Sequence, residues 1–279
     1  MFITFFIAAL FANFASATEL KTLSWNVYML PKPIKFSQQE LRAKKIPVAL
    51  QNSDYDFMFF QEAFHPLFRK DMWKALKNKY PHNMYLNRRK TVWPPMGSGL
   101  FVMSKHPFKV LEHIFYKKCA VADCYASKGS MLIESQVDGR TVQFAMTHLQ
   151  AELGFGEIRL SQIQQIKEML ARHAKDGVPQ ILIGDLNIDH KEPEFPEGQD
   201  LLGMEASTLS GPLDYTAEFP NKCFHVGINN LTWLDHLWFD GKGTSVSTKF
   251  QTTNFEFNYK GMTCELSDHM PMESQISLN

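Results

Sequence analysis

Several protein classes are excluded by what this chain lacks. Beyond its first residues no stretch is long and apolar enough to cross a bilayer, which takes about 20 residues, so no transmembrane segment is expected in the body of the chain. No GxGxxG or GxxxxGK[ST] run is present, which removes the common glycine-rich phosphate cradles. Cys119, Cys124, Cys223 and Cys264 form no CxxC and no paired Cys/His spacing, so a zinc site is not expected. Neither sign of charge is in excess, with Lys+Arg and Asp+Glu at 29 each. A non-specific nucleic-acid binder often shows a basic surplus, and its absence argues against nucleic acid as a partner. Repeats, low-complexity linkers and charge blocks are missing as well, so nothing marks an internal boundary.

Charge is also absent from Met1 to Ala17, a run rich in Phe, Ile, Leu and Ala that ends Ala15-Ser16-Ala17. A short apolar run closed by a small-x-small pattern reads as a signal peptide, although no Lys or Arg precedes it. The expectation is a secreted protein, or a periplasmic one in a Gram-negative source, with a leader at 1–17 and one catalytic domain at 18–279. A mature chain of about 260 residues suits one large α/β domain. In an exported protein four cysteines permit disulfides, in three full pairings. The close spacing of Cys119 and Cys124 makes that pair the first choice, in a loop between strands.

Turning to what is present, apolar runs and alternation predict strands near 20–28, 56–61, 99–103, 129–137, 140–147, 180–184, 232–239 and 270–277. Helices fit near 38–52, 65–79 and 156–174. The last is the clearest, with Phe155, Ile158, Ile163, Ile166 and Leu170 at helical spacing among polar residues. Val137-Asp138-Gly139-Arg140 carries the Asp-Gly signal of a tight hairpin. Hairpins mixed with helices predict an α/β sandwich of packed sheets.

Polar residues stand at the ends of these apolar strands. Ile181-Leu182-Ile183 runs into Gly184, read as the strand's end, and then Asp185-Leu186-Asn187. Asp185 offers an acceptor that can hold or activate a water, and Asn187 an amide for an anionic oxygen; an ordinary turn is the competing reading. Asn26 sits in an otherwise apolar strand, and Glu62 follows Phe57-Met58-Phe59-Phe60-Gln61. An oxygen-only pair of this kind suits Mg²⁺. His148 closes another strand, and Asp235-His236 and Ser267-Asp268-His269 follow near the end. A carboxylate beside an imidazole orients it and raises its basicity.

Asn26, Glu62, His148, Asp185-x-Asn187, Asp235 and Ser267-Asp268-His269 occur in the order of the endonuclease/exonuclease/phosphatase superfamily, which the chain resembles from Leu20 to its last strand. Asn26-Val27-Tyr28-Met29-Leu30, Ser104-Lys105-His106-Pro107 and Thr147-His148-Leu149-Gln150-Ala151-Glu152 resemble the secreted and neutral sphingomyelinases in particular. The resemblance implies a deoxyribonuclease-like four-layered α/β sandwich, two packed mixed sheets flanked by helices. It implies Mg²⁺, with Mn²⁺ or Co²⁺ as substitutes, bound directly by Glu62 with Asn26 beside it and Asp268 completing the environment. It implies His269 as general base oriented by Asp235, with Asp185 on the water or the metal shell. Asn187 would bind a phosphate oxygen, and His148 would protonate or stabilise the leaving oxygen. The implied substrate is a phosphocholine lipid, sphingomyelin, met at a membrane surface by peripheral contact. A nuclease on the same scaffold and a catalytically silent docking module are the alternatives.

A choline wants aromatic faces, and Tyr28, Trp93 and Trp233 lie near the motifs. For membrane contact there are two stretches. One is the alternating run Phe250 to Tyr259, with Phe255, Phe257 and Tyr259, which an ordinary half-buried strand explains equally well. The other is Val92-Trp93-Pro94-Pro95-Met96 beside Arg88-Arg89-Lys90.

Overall fold

The computed structural model describes residues 17–32, 37–88, 90–91, 93–210, 215–219, 230–250 and 255–279. The expected leader, Ala17 excepted, lies outside them, as do Cys223, Arg89, Val92 and positions 251–254.

Two sheets carry the architecture. The first has seven strands in the order Thr208–Ser210, Thr244–Phe250, Met272–Leu278, Thr18–Asn26, Phe57–Gln61, Phe101–Ser104 and His82–Tyr85. The second has six, in the order Phe108–Phe115, Gly129–Val137, Arg140–His148, Gln180–Asp185, Asp235–Phe239 and Glu205–Ala206. Both mix parallel and antiparallel pairs: Thr18–Asn26 runs parallel to Phe57–Gln61 and antiparallel to Met272–Leu278.

Side-chain alternation explains how these sheets stack. In Phe57-Met58-Phe59-Phe60, the first and third rings enter the core between the sheets, against Phe144, Ile181 and Ile183. Met58 and Phe60 point the other way, onto Phe68 and Met72 of helix Pro66–Leu76 and Ile46 of helix Gln39–Leu50. A third core lies outside the second sheet, where Leu182 and Trp238 meet Ile163, Ile166 and Leu170 of helix Gly156–His173. Three cores make four layers, helix, sheet, sheet, helix, as the resemblance implied. A strand buried on both faces reads as an unbroken apolar run, which is why FMFF was legible. Each large side chain so buried contributes roughly 1.5–3 kcal/mol.

The expected hairpin forms, with Asp138 and Gly139 at φ 48° and 82°, the positive values that a two-residue turn of this hand needs. Cys119 and Cys124 are bonded, closing a loop between strands, and Cys264 is also in a disulfide. Two expectations are corrected in detail. The first strand ends at Asn26, not 28, because Tyr28 turns to φ 47°. The stretch 232–239 divides at the turn around Trp233: Asn230–Thr232 pairs with Ala217–Phe219, and Asp235–Phe239 enters the second sheet. The elements missed include edge strands, the inner strand Thr244–Phe250 of the first sheet and the helix Glu194–Leu202.

Candidate active site

The site lies where the strand ends of the two sheets converge. Its geometry begins with a glycine. Gly184 does not end its strand as expected; the strand continues to Asp185, with Gly184 at φ 143°. A Cβ there would lie 2.1 Å from the Thr147 carbonyl oxygen. Only glycine permits that approach, and it sets His148 opposite Asp185 on neighbouring strands. On the other side Asp185 pairs with Asp235. Three site residues thus stand abreast on three strands.

The first sheet supplies the facing groups. Asn26 Nδ2 donates to Glu62 Oε1 at 3.2 Å and to Asp185 Oδ2 at 2.9 Å, and its Oδ1 accepts the Tyr28 N–H at 3.1 Å. Asn26 therefore links the two sheets at the site. Glu62 itself is held at φ 52°, which costs a residue with a Cβ. Ser267 Oγ donates to the Asn26 carbonyl at 2.6 Å and accepts the His269 N–H at 3.3 Å, bringing Ser267-Asp268-His269 alongside. Trp25 Nε1 fixes the His269 carbonyl at 2.8 Å.

Two histidines flank Asp185. His269 Nδ1 meets Asp235 Oδ2 at 2.7 Å, which leaves Nε2 facing Asp185 Oδ2 at 3.8 Å. Burial alone would lower the His269 imidazole, but the carboxylates of Asp235 and then Asp185 outweigh it and hold the imidazole well above its ordinary value. His148 goes the other way. Burial first, then the charge of Lys128, put it well below its usual range. Its Nε2 accepts from Lys128 Nζ at 3.0 Å and lies 3.4 Å from Asp185 Oδ2. Burial pushes Glu62 up to about 7, with repulsion from Asp268 adding to it. Burial likewise raises Asp185 to about 6; Asp235 adds to the rise and the charge of His269 opposes it. Asn187, at φ 51°, donates its backbone N–H to Asp185 Oδ1 at 2.9 Å and its side-chain amide to the Leu149 carbonyl at 3.2 Å.

All eight residues singled out in the sequence meet here. Lys128 did not stand out. It is nearly fully buried, gripping Asp123 Oδ2 at 2.7 Å and the Leu149 carbonyl at 2.8 Å besides His148. In the sequence it sits in Ser127-Lys128-Gly129, which reads as a solvated turn. The nearest hint was the disulfide loop that carries Asp123.

The chemistry of the donors fits a hard cation. Glu62 Oε2 and Asp235 Oδ1 are buried without a hydrogen-bond partner, a costly state that a cation or a water relieves. Asp185, Asp235 and His269 also place one ligand atom each within 4.8 Å of one another. Glu62 Oε1 accepts only from the neutral Asn26 amide, whereas Asp235 already serves His269 through Oδ2. A cavity of about 290 Å³ opens beside Glu62, Lys128 and His148, lined further by Phe64, Met96 and Tyr125. A larger one, about 450 Å³, lies against Lys21, Tyr55 and Glu273, away from every residue above.

The aromatic expectations divide. Tyr28 and Trp233 are buried, and Trp233 Nε1 donates to the Asp235 carbonyl at 3.0 Å, so both belong to the framework and offer no free face for choline. Phe255 and Phe257 are buried too, Phe255 packing edge-on to Trp25 at 4.8 Å, so as membrane contacts they are ruled out. Trp93 is 56 % exposed and rests edge-on against Tyr125, itself 50 % exposed, at 5.0 Å.

No family model matches the chain. It is 26 % identical over 286 residues to "Sphingomyelinase C 2" of Leptospira interrogans, a match covering 91 % of this chain and 45 % of that one. The chain spans less than half the length of the curated relatives it matches. Among solved structures, sphingomyelinase C from Streptomyces griseocarneus superposes with a TM-score of 0.79 at 21 % identity, over 94 % of this chain and all of that one. A beta toxin from Staphylococcus aureus with bound magnesium ions gives 0.76 at 22 % identity, over 92 % and 99 %. By fold the chain is a deoxyribonuclease-like α/β sandwich, two mixed sheets flanked by helices. The curated relatives it resembles carry sphingomyelinase names, as does the Streptomyces structure.

Proposed function

We propose that this protein is a Mg²⁺-dependent phosphodiesterase that hydrolyses sphingomyelin to ceramide and phosphocholine. The observation that carries the reading is the junction of the Asp235–His269 pair, Asp185 and the Asn26–Glu62 pair, where a base, a water acceptor and an unpartnered carboxylate oxygen converge. The sphingomyelinase relatives narrow it from phosphodiesters in general to this one.

Glu62 would hold the cation directly, with Asn26 beside it and Asp268 completing the surroundings. When bound, Mg²⁺ supplies a Lewis acid for the charge that develops on phosphoryl oxygens. His269 takes a proton from the attacking water at Nε2, with Asp235 fixing Nδ1 and stabilising the imidazolium. Asp185 accepts a hydrogen bond from the water's other O–H and so orients it. Asn187 bonds a phosphate oxygen. As water attacks phosphorus, the bond to the ceramide oxygen breaks on the side of His148, and that oxygen takes up a proton from solvent. Being held neutral, His148 acts there as a polar stabiliser, and Lys128 contributes the positive charge.

Peripheral membrane contact belongs to the same proposal. Tyr125 lines the cavity with exposed Trp93 resting against it, and Arg88 and Lys90 stand exposed nearby in the chain, where an anionic head group would meet them. Among the described residues no helix is long and apolar enough to cross a membrane. Export rests on the uncharged apolar run ending at Ala17.

The deciding assay measures phosphocholine release from sphingomyelin vesicles beside plasmid nicking, each with EDTA and after Mg²⁺ is restored. Release that vanishes in chelator and returns with Mg²⁺ is expected. Efficient nicking without phosphocholine release would make the protein a nuclease, and full activity in EDTA would remove the metal from the reading.

A further inference from the structure

A buried cation behind the site ties its two halves together. Arg42, on helix Gln39–Leu50, has no exposed surface. A guanidinium carries five N–H donors, and each one is used. Nε donates to the Ser37 carbonyl at 2.7 Å. Nη1 donates to the carbonyls of Val27 at 2.8 Å and Leu266 at 3.0 Å. Nη2 donates to the Tyr28 carbonyl at 2.5 Å and to Ser37 Oγ at 2.7 Å. Val27 and Tyr28 follow Asn26 directly, and Leu266 directly precedes Ser267-Asp268-His269. Asn26 and Ser267 are 241 positions apart in the chain, yet the segments that present them share one planar group on one helix.

The tie has forces to oppose. Tyr28 is held at φ 47°, a region that bulky side chains avoid. The same loop is zipped to the Glu62 segment, the Val27 N–H donating to the Gln61 carbonyl at 3.0 Å and the Met29 N–H to the Glu62 carbonyl at 3.1 Å. Glu62 and Asp268 repel one another across the junction, and Arg42 attracts both. Burying an unpaired guanidinium is costly, and an apolar side chain would fill the space without that cost. The demand met here is for donors and charge.

We propose that Arg42 is a positioning residue for cation binding: it sets the Asn26–Glu62 half of the site against the Asp268–His269 half and offsets the repulsion between Glu62 and Asp268 before a cation arrives. This rests on the metal-dependent reading above.

The test uses the full chain, Mn²⁺ as the probe and no lipid, with affinity read from free Mn²⁺ by electron paramagnetic resonance. Arg42→Lys keeps the charge and loses two donors; Arg42→Gln loses the charge. Both should weaken Mn²⁺ binding at least about tenfold, the usual scale for partners that orient metal ligands, with Gln the worse. The rise in Tm on adding Mn²⁺ should shrink in parallel, and saturating metal should restore turnover of Arg42→Lys toward wild type. Should either variant fail to fold, Ser37→Ala deletes one acceptor only and should weaken binding about threefold. A merely structural staple would lower Tm in chelator and leave Mn²⁺ affinity unchanged. That outcome, in folded Arg42→Lys or in Ser37→Ala, overturns the proposal. Wild type that binds no Mn²⁺ overturns the metal reading itself, a result distinct from equal binding by variant and wild type.

Discussion

Replacing Asp235 by Asn tests the Asp235–His269 pair with little change of shape. In the wild type the two meet at 2.7 Å, both buried. The backbone contacts of position 235 do not involve the carboxylate: its N–H donates to Thr216 Oγ1 at 3.0 Å and its carbonyl accepts from Trp233. The substitution therefore removes a charge and converts a charge-assisted bond into a neutral one. Bonds to charged groups contribute about 1.5–3 kcal/mol, so kcat/KM should fall roughly 10- to 100-fold. Because the amide oxygen can still orient Nδ1, the loss should be smaller than that of His269→Ala. The pH dependence has a definite sign. Against the effect of burial, Asp235 and Asp185 raise His269 above its ordinary value. A base held up in this way keeps its proton to higher pH, so without Asp235 the acid limb of the rate profile should move to lower pH. In metal-free protein the same raised group contributes stability fully below its unfolded value, about 6.5, and that contribution fades as pH rises through the folded value. The Tm deficit of Asp235→Asn should be wider on the acid side. The assay is kcat/KM on a soluble phosphocholine ester across pH with saturating Mg²⁺. Wild-type activity with an unmoved acid limb would refute the pairing as a functional one.

Glu62→Gln keeps the shape and removes the charge; Mg²⁺ dependence and turnover should both weaken while the fold survives, and an unchanged Mg²⁺ midpoint would disqualify Glu62 as ligand. His148→Ala should cost at least about 10²-fold in turnover. Because His148 is held neutral by burial beside Lys128, the loss should be nearly independent of pH, and a loss confined to one limb of the profile would show that a proton is transferred there. Trp93→Ala should reduce hydrolysis of sphingomyelin in vesicles far more than hydrolysis of a short soluble phosphocholine ester, with little change in Tm because the ring is 56 % exposed. Equal loss on both esters would mean that Trp93 acts through Tyr125 on the cavity, not on the membrane.

Much of this was legible in one dimension, and the reason is local. A strand buried on both faces announces itself as an unbroken apolar run, so a polar residue at its end is conspicuous. Asn26, Glu62, His148 and Asp185 were found that way, and their order along the chain carried the resemblance that implied the fold. The inward and outward alternation of Phe57 to Phe60 emerged only from the packing, which sets the rings on two different cores. Strands whose residues are half-buried, such as Phe108–Phe115, show no such contrast and were missed. Exposure was not legible either. Phe255, Phe257 and Trp93 are equally apolar in the sequence, yet the first two pack inward near Trp25 while the third faces solvent. Lys128 and Arg42 mark the limit most clearly. A lysine before a glycine and an arginine on a helix are ordinary surface residues until distant segments close over them. What buries them is partners far along the chain: Leu149 for one, Val27 and Leu266 for the other. Composition and periodicity determine which residues leave water. Only the packing of one segment on another decides which charge accompanies them and what it is set against, because the cost of a buried ion is met by partners that the local sequence does not contain.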